Sequence, residues 1–482
     1  MTSVVFFHRC ELTDLFAPVS QCLHGEFQPV HLAYSATEAE RLRELGFTAP
    51  VTIFKDEVKR LHPSSVADAD TLKAIDDLFI QQSGGAFNLN GAIQSDRGFA
   101  LLSLEEAQRL TVTYYRFWSE FLDRHDANIV LHETCSLMFN FVAAMLCAQR
   151  KGHYLYSIMA LGLDKGYKHL LMSGFDFTCP DLDKALAAIE SRRLQMDEPA
   201  CRAYLDEFRS SFSVFLGGAF KRPSLTRISL IALRNKLRQW VPGIPHDRVL
   251  DNIDYWSAKS NVAGRKLSNL RRYKKEVRFD AFDASQPYYF YPLHLEPEAV
   301  VLYHAHGLYA NQVKLIQNIA AQLPPGVFLY VKDHPHDHGY RSADDYLALK
   351  SVPNIRLLET SISGKEIVAH SQGVITMTGT AGFEALLLGK PVFTFGKTFY
   401  SPAPGVELLR HVRDLRERLY AALERPPTTD AALYPYLTAY LHALHPGMTD
   451  YFAGRAVRYG LDLQDNARQV AEGLLSTLRN TP

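Results

Sequence analysis

The sequence lacks the features that mark a secreted or membrane-spanning protein. Its 482 residues include only six cysteines, and none of them forms a CxxC pair or a His/Cys spacing typical of zinc. We therefore expect buried free thiols in a reducing compartment. No stretch approaches the ~20 consecutive apolar residues of a spanning helix. The apolar run Val4–Phe7 is too short for the core of a signal peptide, so a cytoplasmic protein is expected.

A net charge is also absent, because 52 Lys and Arg residues balance 52 Asp and Glu residues. This balance argues against nucleic acid as a partner. The segment Lys221–Arg278 departs from it, with 15 basic and 4 acidic residues. Two interpretations stay open for this segment. Its basic residues lie on solvated helix faces, or they form a patch that contacts an anionic acceptor or, peripherally, the inner membrane.

The chain has neither a P-loop nor a GxGxxG fingerprint, which argues against ATP and NAD as ligands. Short apolar runs instead alternate with longer helical patterns, which is typical of α/β units with parallel strands. Five βα repeats in the second half predict a doubly wound, Rossmann-like sheet. The strands predicted there are Ala299–Tyr303, Val327–Val331, Asn354–Leu358, Gly373–Met377 and Pro391–Phe395.

Two domains are expected from the length and from this pattern. Residues 1–285 are predicted to form a Rossmann-like domain with a helical, basic insertion at about 177–280. Residues 286–465 are predicted to form the second domain, and a helix within 466–482 to pack back on the first. The segment Ala284–Glu298 is rich in proline and aromatic residues and is interpreted as the linker.

The most informative motif is TGTAGFEA, Thr378–Ala385, which follows a predicted strand. In an open parallel sheet, ligands bind beyond the carboxyl ends of the strands. Gly379 frees the backbone at the strand-to-helix turn, and Thr378 and Thr380 supply hydroxyl groups. The amides at the start of the helix favour an anion, so the motif predicts a phosphate site or a helix N-cap without a ligand. Glu384 lies one turn further on, where its carboxylate would accept hydrogen bonds from a ribose.

A second polar stretch, KDHPHDHG, follows the strand Val327–Val331. Its histidine spacing is one residue short of the HxHxDH run of metallo-β-lactamase-type hydrolases, so no metal is expected. Pro335 favours an extended conformation at His334, which would hold the imidazole at the strand end. Lys332 lies two residues earlier, and both cations would balance a departing nucleotide. His304 and His306 follow the predicted strand Ala299–Tyr303 and are further candidates for ligand contacts.

Three stretches, LYVKDHP, VITMTGTAGFEALLLGKPVFTFGKTFY and YYFYPLHLEPE, resemble the bacterial capsule polysaccharide biosynthesis family, which includes β-Kdo transferases. The resemblance covers about Tyr288–Ser401. It implies a GT-B fold, in which two Rossmann-like domains face a cleft, with the nucleotide-sugar on the second domain and a glycan or lipid-linked acceptor on the first. It also implies that His334, Thr378 and Thr380 contact the nucleotide phosphates and that Glu384 contacts the ribose. A CMP-linked acidic sugar such as Kdo is the implied donor, and neither metal nor other cofactor is implied.

A glycosyl transfer also needs a base that takes the proton of the acceptor hydroxyl. Glu133 is the candidate, because it follows a buried strand and is expected in the first turn of the next helix; His132 is a weaker one. His8 and Arg9, after Val4–Phe7, are predicted to line the acceptor side. Three other functions stay open: a UDP-GlcNAc 2-epimerase-like enzyme, a polyol-phosphate transferase, and a metal-dependent hydrolase that uses the histidine-rich loop.

Overall fold

The computed structural model describes most of the chain. The described residues are 2–23, 25–160, 167–210, 226, 229–230, 233, 247–253, 262–296, 300–305, 307, 309, 311–334, 339–449 and 460–479. They form two compact units. Unit 1 comprises Met1–Met196, Arg248–Leu250 and Leu437–Pro482, and unit 2 comprises Asp197–Asp247 and Asp251–Tyr436.

The strands are short, and most are buried. In chain order they are β1 (Ser3–His8), β2 (Gln28–Ala33), β3 (Thr52–Ile53), β4 (Ala127–Leu131), β5 (His153–Met159), β6 (Lys168–Ser173), β7 (Tyr288–Pro292), β8 (Phe328–Lys332), β9 (Ile355–Leu358), β10 (Gly373–Thr376), β11 (Val392–Thr394), β12 (Val406–Leu408) and β13 (His445–Pro446).

Helices connect these strands. In chain order they are α1 (Leu12–Gln21), α2 (Ala36–Glu44), α3 (Phe54–Leu61), α4 (Ala69–Gln82), α5 (Leu89–Ser95), α6 (Leu104–Arg124), α7 (Met138–Gln149), α8 (Pro180–Glu190), α9 (Glu198–Ser210), α10 (Val262–Glu276), α11 (Gln312–Ala320), α12 (Ala343–Lys350), α13 (Gly364–His370), α14 (Thr380–Leu387), α15 (Asp414–Glu424), α16 (Asp430–His442) and α17 (Leu463–Arg479). Within the described ranges, no helix is both long and apolar enough to cross a bilayer.

Unit 1 contains a seven-stranded sheet in the order β13-β6-β5-β4-β1-β2-β3. Strands β1 to β5 pair in parallel, whereas β6 pairs antiparallel with β5 and with β13. All six side chains of β1 are buried, as expected for a parallel strand covered on both faces. The chain reverses its direction across the sheet between β1 and β4, which is the topological switch point of this unit.

Unit 2 contains a six-stranded sheet in the order β12-β11-β10-β7-β8-β9, and every pairing is parallel. Counted from the first strand of the unit, this is the 3-2-1-4-5-6 order of a doubly wound Rossmann-like sheet, with its switch point between β7 and β10. The predicted fold class, mixed α/β with parallel doubly wound sheets, is therefore confirmed.

One predicted strand is wrong, and the true one lies in the predicted linker. Val300–His304 form one turn of π-helix rather than a strand. The strand is β7, whose aromatic side chains are buried on both faces of the sheet. The ring of Tyr288 stacks on that of Tyr330 in β8, with centroids 4.0 Å apart. Aromatic side chains favour strands because they pack well on the pleated surface, so an aromatic run beside proline indicates a central strand here.

The units also divide at other positions than the boundaries expected at 285 and 465. Helix α9 belongs to unit 2, because the guanidinium of Arg209 donates to the carbonyl oxygen of Leu387 (2.9 Å) and pairs with Asp430. At the other end, the return to unit 1 begins at Leu437. Helix α17 packs against α1 in one apolar cluster. Within the predicted basic insertion, residues 211–225, 234–246 and 254–261 lie outside the described residues.

Candidate functional site

The carboxyl ends of β7 and β10 meet at the switch point of unit 2. The chain leaves β7 at Leu293 and His294, and it leaves β10 at Met377 and Thr378. Helix α14 begins at Thr380, with Gly379 as its N-cap. The first amides of α14 therefore point toward the same edge of the sheet, and their partial positive charge favours an anion there.

Gly379 is required by a close approach and not by its backbone angles, since its φ of −72° suits any residue. A Cβ atom at this position would lie 2.6 Å from Cε1 of His294 and 3.0 Å from the hydroxyl oxygen of Thr376. Real carbon–carbon contacts begin near 3.5 Å. The histidine thus lies directly against the start of α14, in space that a larger side chain at Gly379 would take.

His294 is held on every side. Its Nε2 lies 3.1 Å from the hydroxyl of Thr376, which also accepts a hydrogen bond from the amide of Gly379 at 3.2 Å. Its own amide donates to the side-chain oxygen of Gln312 (2.9 Å). Burial, together with the charges of His334 and Arg341, lowers the pKa of His294 to about 3, so the imidazole is neutral. Sequence reasoning did not select His294, because the strand before it was interpreted as a linker.

Thr378 has the buried hydroxyl that a ligand would complete. The residue is 5% exposed, and among the described residues its Oγ1 has no hydrogen-bond partner. A buried hydroxyl without a partner costs free energy, so a ligand atom that forms a hydrogen bond with it would be stabilised. Its methyl group lies against Gly396, where a Cβ atom would be 2.5 Å away from both this methyl and the carbonyl oxygen of His304.

Lys332, Lys365 and Glu384 interact electrostatically near this edge. Lys332 is the last residue of β8 and is buried, and Glu384 lies in the second turn of α14. Burial raises the pKa of Glu384 to about 7, and the charges of Lys365 and Lys332 oppose this rise. Near neutral pH, Glu384 therefore takes up and releases a proton.

His334 lies two residues after Lys332, just beyond the end of β8. Its amide donates to the carboxylate of the preceding residue, Asp333, at 2.7 Å. Pro292 pairs with Lys332 in the parallel sheet, so His294 and His334, each two residues further on, leave neighbouring strands at the same edge. Residues 335–338, which include the other two histidines of the loop, lie outside the described residues, as does His306. Within the described part of the chain, no group of three His, Cys, Asp or Glu side chains is arranged to hold a metal.

The structure thus brings together most of the residues that the sequence selected in unit 2. Lys332 and His334 lie at the end of β8, and Thr378 and Gly379 lie after β10, on the other side of β7. The charge of Lys332 acts on Glu384. His304 is buried at the end of the π-turn, beside Gly396. Thr380 occupies the first, exposed position of α14.

A second polar cluster lies at the switch point of unit 1, between the ends of β1 and β4. The guanidinium of Arg9 pairs with the carboxylate of Glu133, and it lies 5.1 Å from the ring centre of Tyr34. Burial opposes the charge of Arg9, but Glu133, Tyr34 and Cys10 together outweigh this effect and raise the pKa of Arg9. His8 is buried in β1, with its Nε2 2.9 Å from Nδ1 of His31. Burial, with the charges of neighbouring histidines, lowers the pKa of His8 well below its usual value.

Glu133 lies in the loop after β4, and the prediction that it occupies the first turn of the next helix is wrong. Helix α7 begins at Met138, whose amide donates to the buried carboxylate of Asp96. This distant carboxylate takes the place of a local N-cap, which the sequence pattern could not show. His132 precedes Glu133 and is fully buried, with Nδ1 2.9 Å from the carbonyl oxygen of Phe7. Nδ1 therefore carries the proton, and burial lowers the pKa of the ring to about 4.

Comparison with known proteins connects the candidate site of unit 2 to a family. Residues 239–437 match the model of the family described as capsule polysaccharide biosynthesis protein. The predicted resemblance is confirmed over this span. The match includes β7 to β12 and therefore the whole candidate site of unit 2.

Individual relatives are distant. Protein FixF of Sinorhizobium fredii is 27% identical over 151 residues, which is 30% of this chain and 36% of that protein. The chain thus spans about a third of the length of this curated relative. Among solved structures, UDP-GlcNAc 2-epimerase from Neisseria meningitidis bound to UDP-GlcNAc is 12% identical, covering 99% of this chain and 100% of that one, with a TM-score of 0.28. The β-Kdo 2,4 transferase KpsC of Thermosulfurimonas dismutans is 15% identical, covering 64% and 79%, with a TM-score of 0.31.

Proposed function

We propose that the protein is a glycosyltransferase of capsule or surface polysaccharide synthesis that uses a nucleotide-sugar donor. The observation that carries this proposal is the edge of the sheet where α14 begins: it holds Gly379, the buried hydroxyl of Thr378, which has no partner among the described residues, and Lys332 at the end of β8. Helix amides, a hydroxyl and a lysine are the groups that bind a diphosphate or monophosphate ester. The match to the capsule polysaccharide biosynthesis family over the same residues supports this assignment.

In the proposed reaction, the acceptor hydroxyl oxygen bonds to the anomeric carbon of the donor while the bond from that carbon to the phosphate oxygen breaks. Lys332, His334 and the amides of α14 stabilise the charge that develops on the leaving nucleotide phosphate. Glu384 accepts hydrogen bonds from the ribose. Glu133, in unit 1, takes the proton of the acceptor hydroxyl, and Arg9 orients its carboxylate. No metal and no other cofactor takes part.

The proposed donor is a CMP-linked acidic sugar such as Kdo, and the proposed acceptor is a glycan or a lipid-linked glycan. We expect the reaction in the cytoplasm, with peripheral contact to the inner membrane. Helix α10 offers a surface for that contact, because Arg271, Lys274 and Lys275 are exposed on it. Each basic residue near an anionic surface contributes about 1 kcal/mol to the contact.

The direct test is a thermal-shift series with CMP, CDP, UDP and GDP, because a ligand that binds only the folded state raises the melting temperature. A CMP-selective rise that is lost in His334→Ala, and kept in His370→Ala, is the expected result. His370 is the matched control, since it is an exposed histidine of unit 2 whose Nδ1 lies 3.0 Å from the carbonyl oxygen of Glu366 in its own helix. A shift with none of the four nucleotides would refute the proposal. Conversion of UDP-GlcNAc to its C2 epimer without an acceptor would replace it with an epimerase.

A further inference from the structure

One buried arginine connects the ends of two neighbouring strands at the candidate site. Arg341 is 4% exposed and lies just before α12. Its Nη2 donates to the carbonyl oxygen of His294 at 2.9 Å, and its Nη1 lies 2.9 Å from the carboxylate of Glu296. Its Nε lies 3.2 Å from the carboxylate of Asp333. His294 and Glu296 follow β7, whereas Asp333 follows β8.

Two of these three acceptor residues, Asp333 and His294, contact other residues of the candidate site. Asp333 accepts the hydrogen bond of the His334 amide at 2.7 Å through its second oxygen, and the hydroxyl of Tyr346 also donates to it. His294 lies against Gly379, at the start of α14. The guanidinium of Arg341 therefore fixes the backbone of His294 directly and, through the carboxylate of Asp333, the backbone of His334.

A lysine could not make these contacts. Three acceptors in three directions need the planar fork of a guanidinium, and an ammonium group on a flexible chain satisfies at most some of them in this geometry. The charge of Arg341 also contributes to the neutral state of His294, after burial and the charge of His334. Gln312 completes the arrangement, since its Nε2 donates to the carbonyl oxygen of His294 (3.0 Å) and to Glu296 (2.8 Å).

We propose that Arg341 is a positioning residue of the nucleotide site, which acts through Asp333 on His334 and through the carbonyl group of His294 on the start of α14. This inference rests on the proposed function. It predicts that Arg341 sets the geometry of the phosphate contacts without touching the nucleotide.

The test is Arg341→Lys, measured by calorimetric binding of the nucleotide that stabilises the wild type and by the melting temperature. A displacement of the contacts by about 1 Å is expected to weaken binding about 10- to 100-fold. Arg209→Lys is the matched control. Arg209 also pairs with a carboxylate and donates to a carbonyl oxygen in unit 2, but not at this edge of the sheet. It should lose stability and keep its affinity.

A double-mutant cycle separates positioning from a general structural role. If Arg341 acts through His334, then His334→Ala loses less affinity in the Arg341→Lys protein than in the wild type. Additive losses would overturn the proposal, and so would an affinity of Arg341→Lys within twofold of the wild type. If this variant does not fold, Tyr346→Phe removes one contact to Asp333 and takes its place in the same cycle. A wild type that binds no nucleotide refutes the proposed function instead.

Discussion

Two threonines at the end of β10 give the sharpest test of the site, because only one of their hydroxyls has a hydrogen-bond partner among the described residues. The hydroxyl of Thr378 is buried without a partner among the described residues. The hydroxyl of Thr376, two residues earlier, contacts Nε2 of His294 at 3.1 Å and accepts the amide hydrogen of Gly379. Substitution by valine keeps the shape of each side chain and removes only the hydroxyl.

The two valine variants should therefore change stability in opposite directions. A buried hydroxyl without a partner costs about 1–3 kcal/mol, and Thr378→Val removes this cost. Thr376→Val removes two hydrogen bonds of about 0.5–1.5 kcal/mol each and leaves the amide of Gly379 without its acceptor. Since about 1 kcal/mol shifts the melting temperature of a unit of this size by roughly 2–4 °C, we expect a rise of a few degrees for Thr378→Val and a fall of several degrees for Thr376→Val.

Nucleotide affinity should fall in both variants. A hydrogen bond to a charged phosphate contributes about 1.5–3 kcal/mol, so Thr378→Val should weaken binding by about 10- to 100-fold although the protein becomes more stable. Scanning calorimetry without ligand and isothermal titration with nucleotide measure the two quantities separately. The reasoning is refuted if Thr378→Val is destabilised like Thr376→Val, or if it binds nucleotide as the wild type does.

Three further predictions follow from the geometry. Gly379→Ala places a methyl 2.6 Å from an imidazole carbon, so it should lower the unfolding free energy by about 1–3 kcal/mol and abolish nucleotide binding. The control Gly364→Ala meets no atom within 4 Å and should raise the unfolding free energy slightly. Equal melting temperatures of the two variants would contradict this reasoning. Because burial raises the pKa of Glu384 to about 7, the folded protein takes up a proton between pH 7 and 4.5 that the unfolded chain does not, so the stability of the wild type should rise relative to Glu384→Gln as the pH falls from 8 to 5. A constant difference in calorimetric melting temperature would contradict that pKa. Glu133→Gln should lower transferase activity about 10²- to 10⁴-fold, and it should also lower the melting temperature because it leaves the buried guanidinium of Arg9 without its carboxylate. Glu106→Gln, at a half-buried helix-cap residue of unit 1, is the control and should keep its activity. Full activity of Glu133→Gln would exclude Glu133 as the base.

The fold class was accessible from the sequence because buried parallel strands leave a simple record. Runs such as Val4–Phe7 and Phe328–Val331 are apolar throughout, since both faces of the sheet are covered, and helical patterns separate them. The boundaries were less accessible. Helix α9 follows a change in pattern near residue 177, yet it belongs to unit 2 through contacts more than 170 residues away.

The misplaced strand explains which site residues the sequence missed. With Ala299–Tyr303 taken as the first strand of the second domain, the polar residues after it, His304 and His306, were selected as ligand contacts. The actual first strand is β7, and the residue beyond its end is His294. The same strand-end argument would have selected His294 if the aromatic run had been assigned as a strand.

Arg341 could not have been found in that way. Its role depends on contacts to His294, 47 residues away, and to Glu296, 45 residues away, and nothing in the adjacent sequence indicates them. Local sequence patterns predict secondary-structure elements and their ends, and so they predict residues whose role follows from their position at such an end. A residue that acts by holding others in place becomes visible only when its partners are located.

The charged and polar groups at the two switch points differ. At the switch point of unit 1, the charges of Arg9 and Glu133 pair with each other, so the cluster is close to neutral and suits proton transfer from an uncharged hydroxyl group. At the switch point of unit 2, the groups near the strand ends favour an anion: they are Lys332, the first amides of α14, and the hydroxyl of Thr378, which has no partner among the described residues. Both sheets share the 3-2-1-4-5-6 strand order, so the fold alone does not distinguish a nucleotide-binding unit from an acceptor-binding one. The side chains at the strand ends differ between the units, and those after β8 and β10 are the reason why we propose the nucleotide site in unit 2.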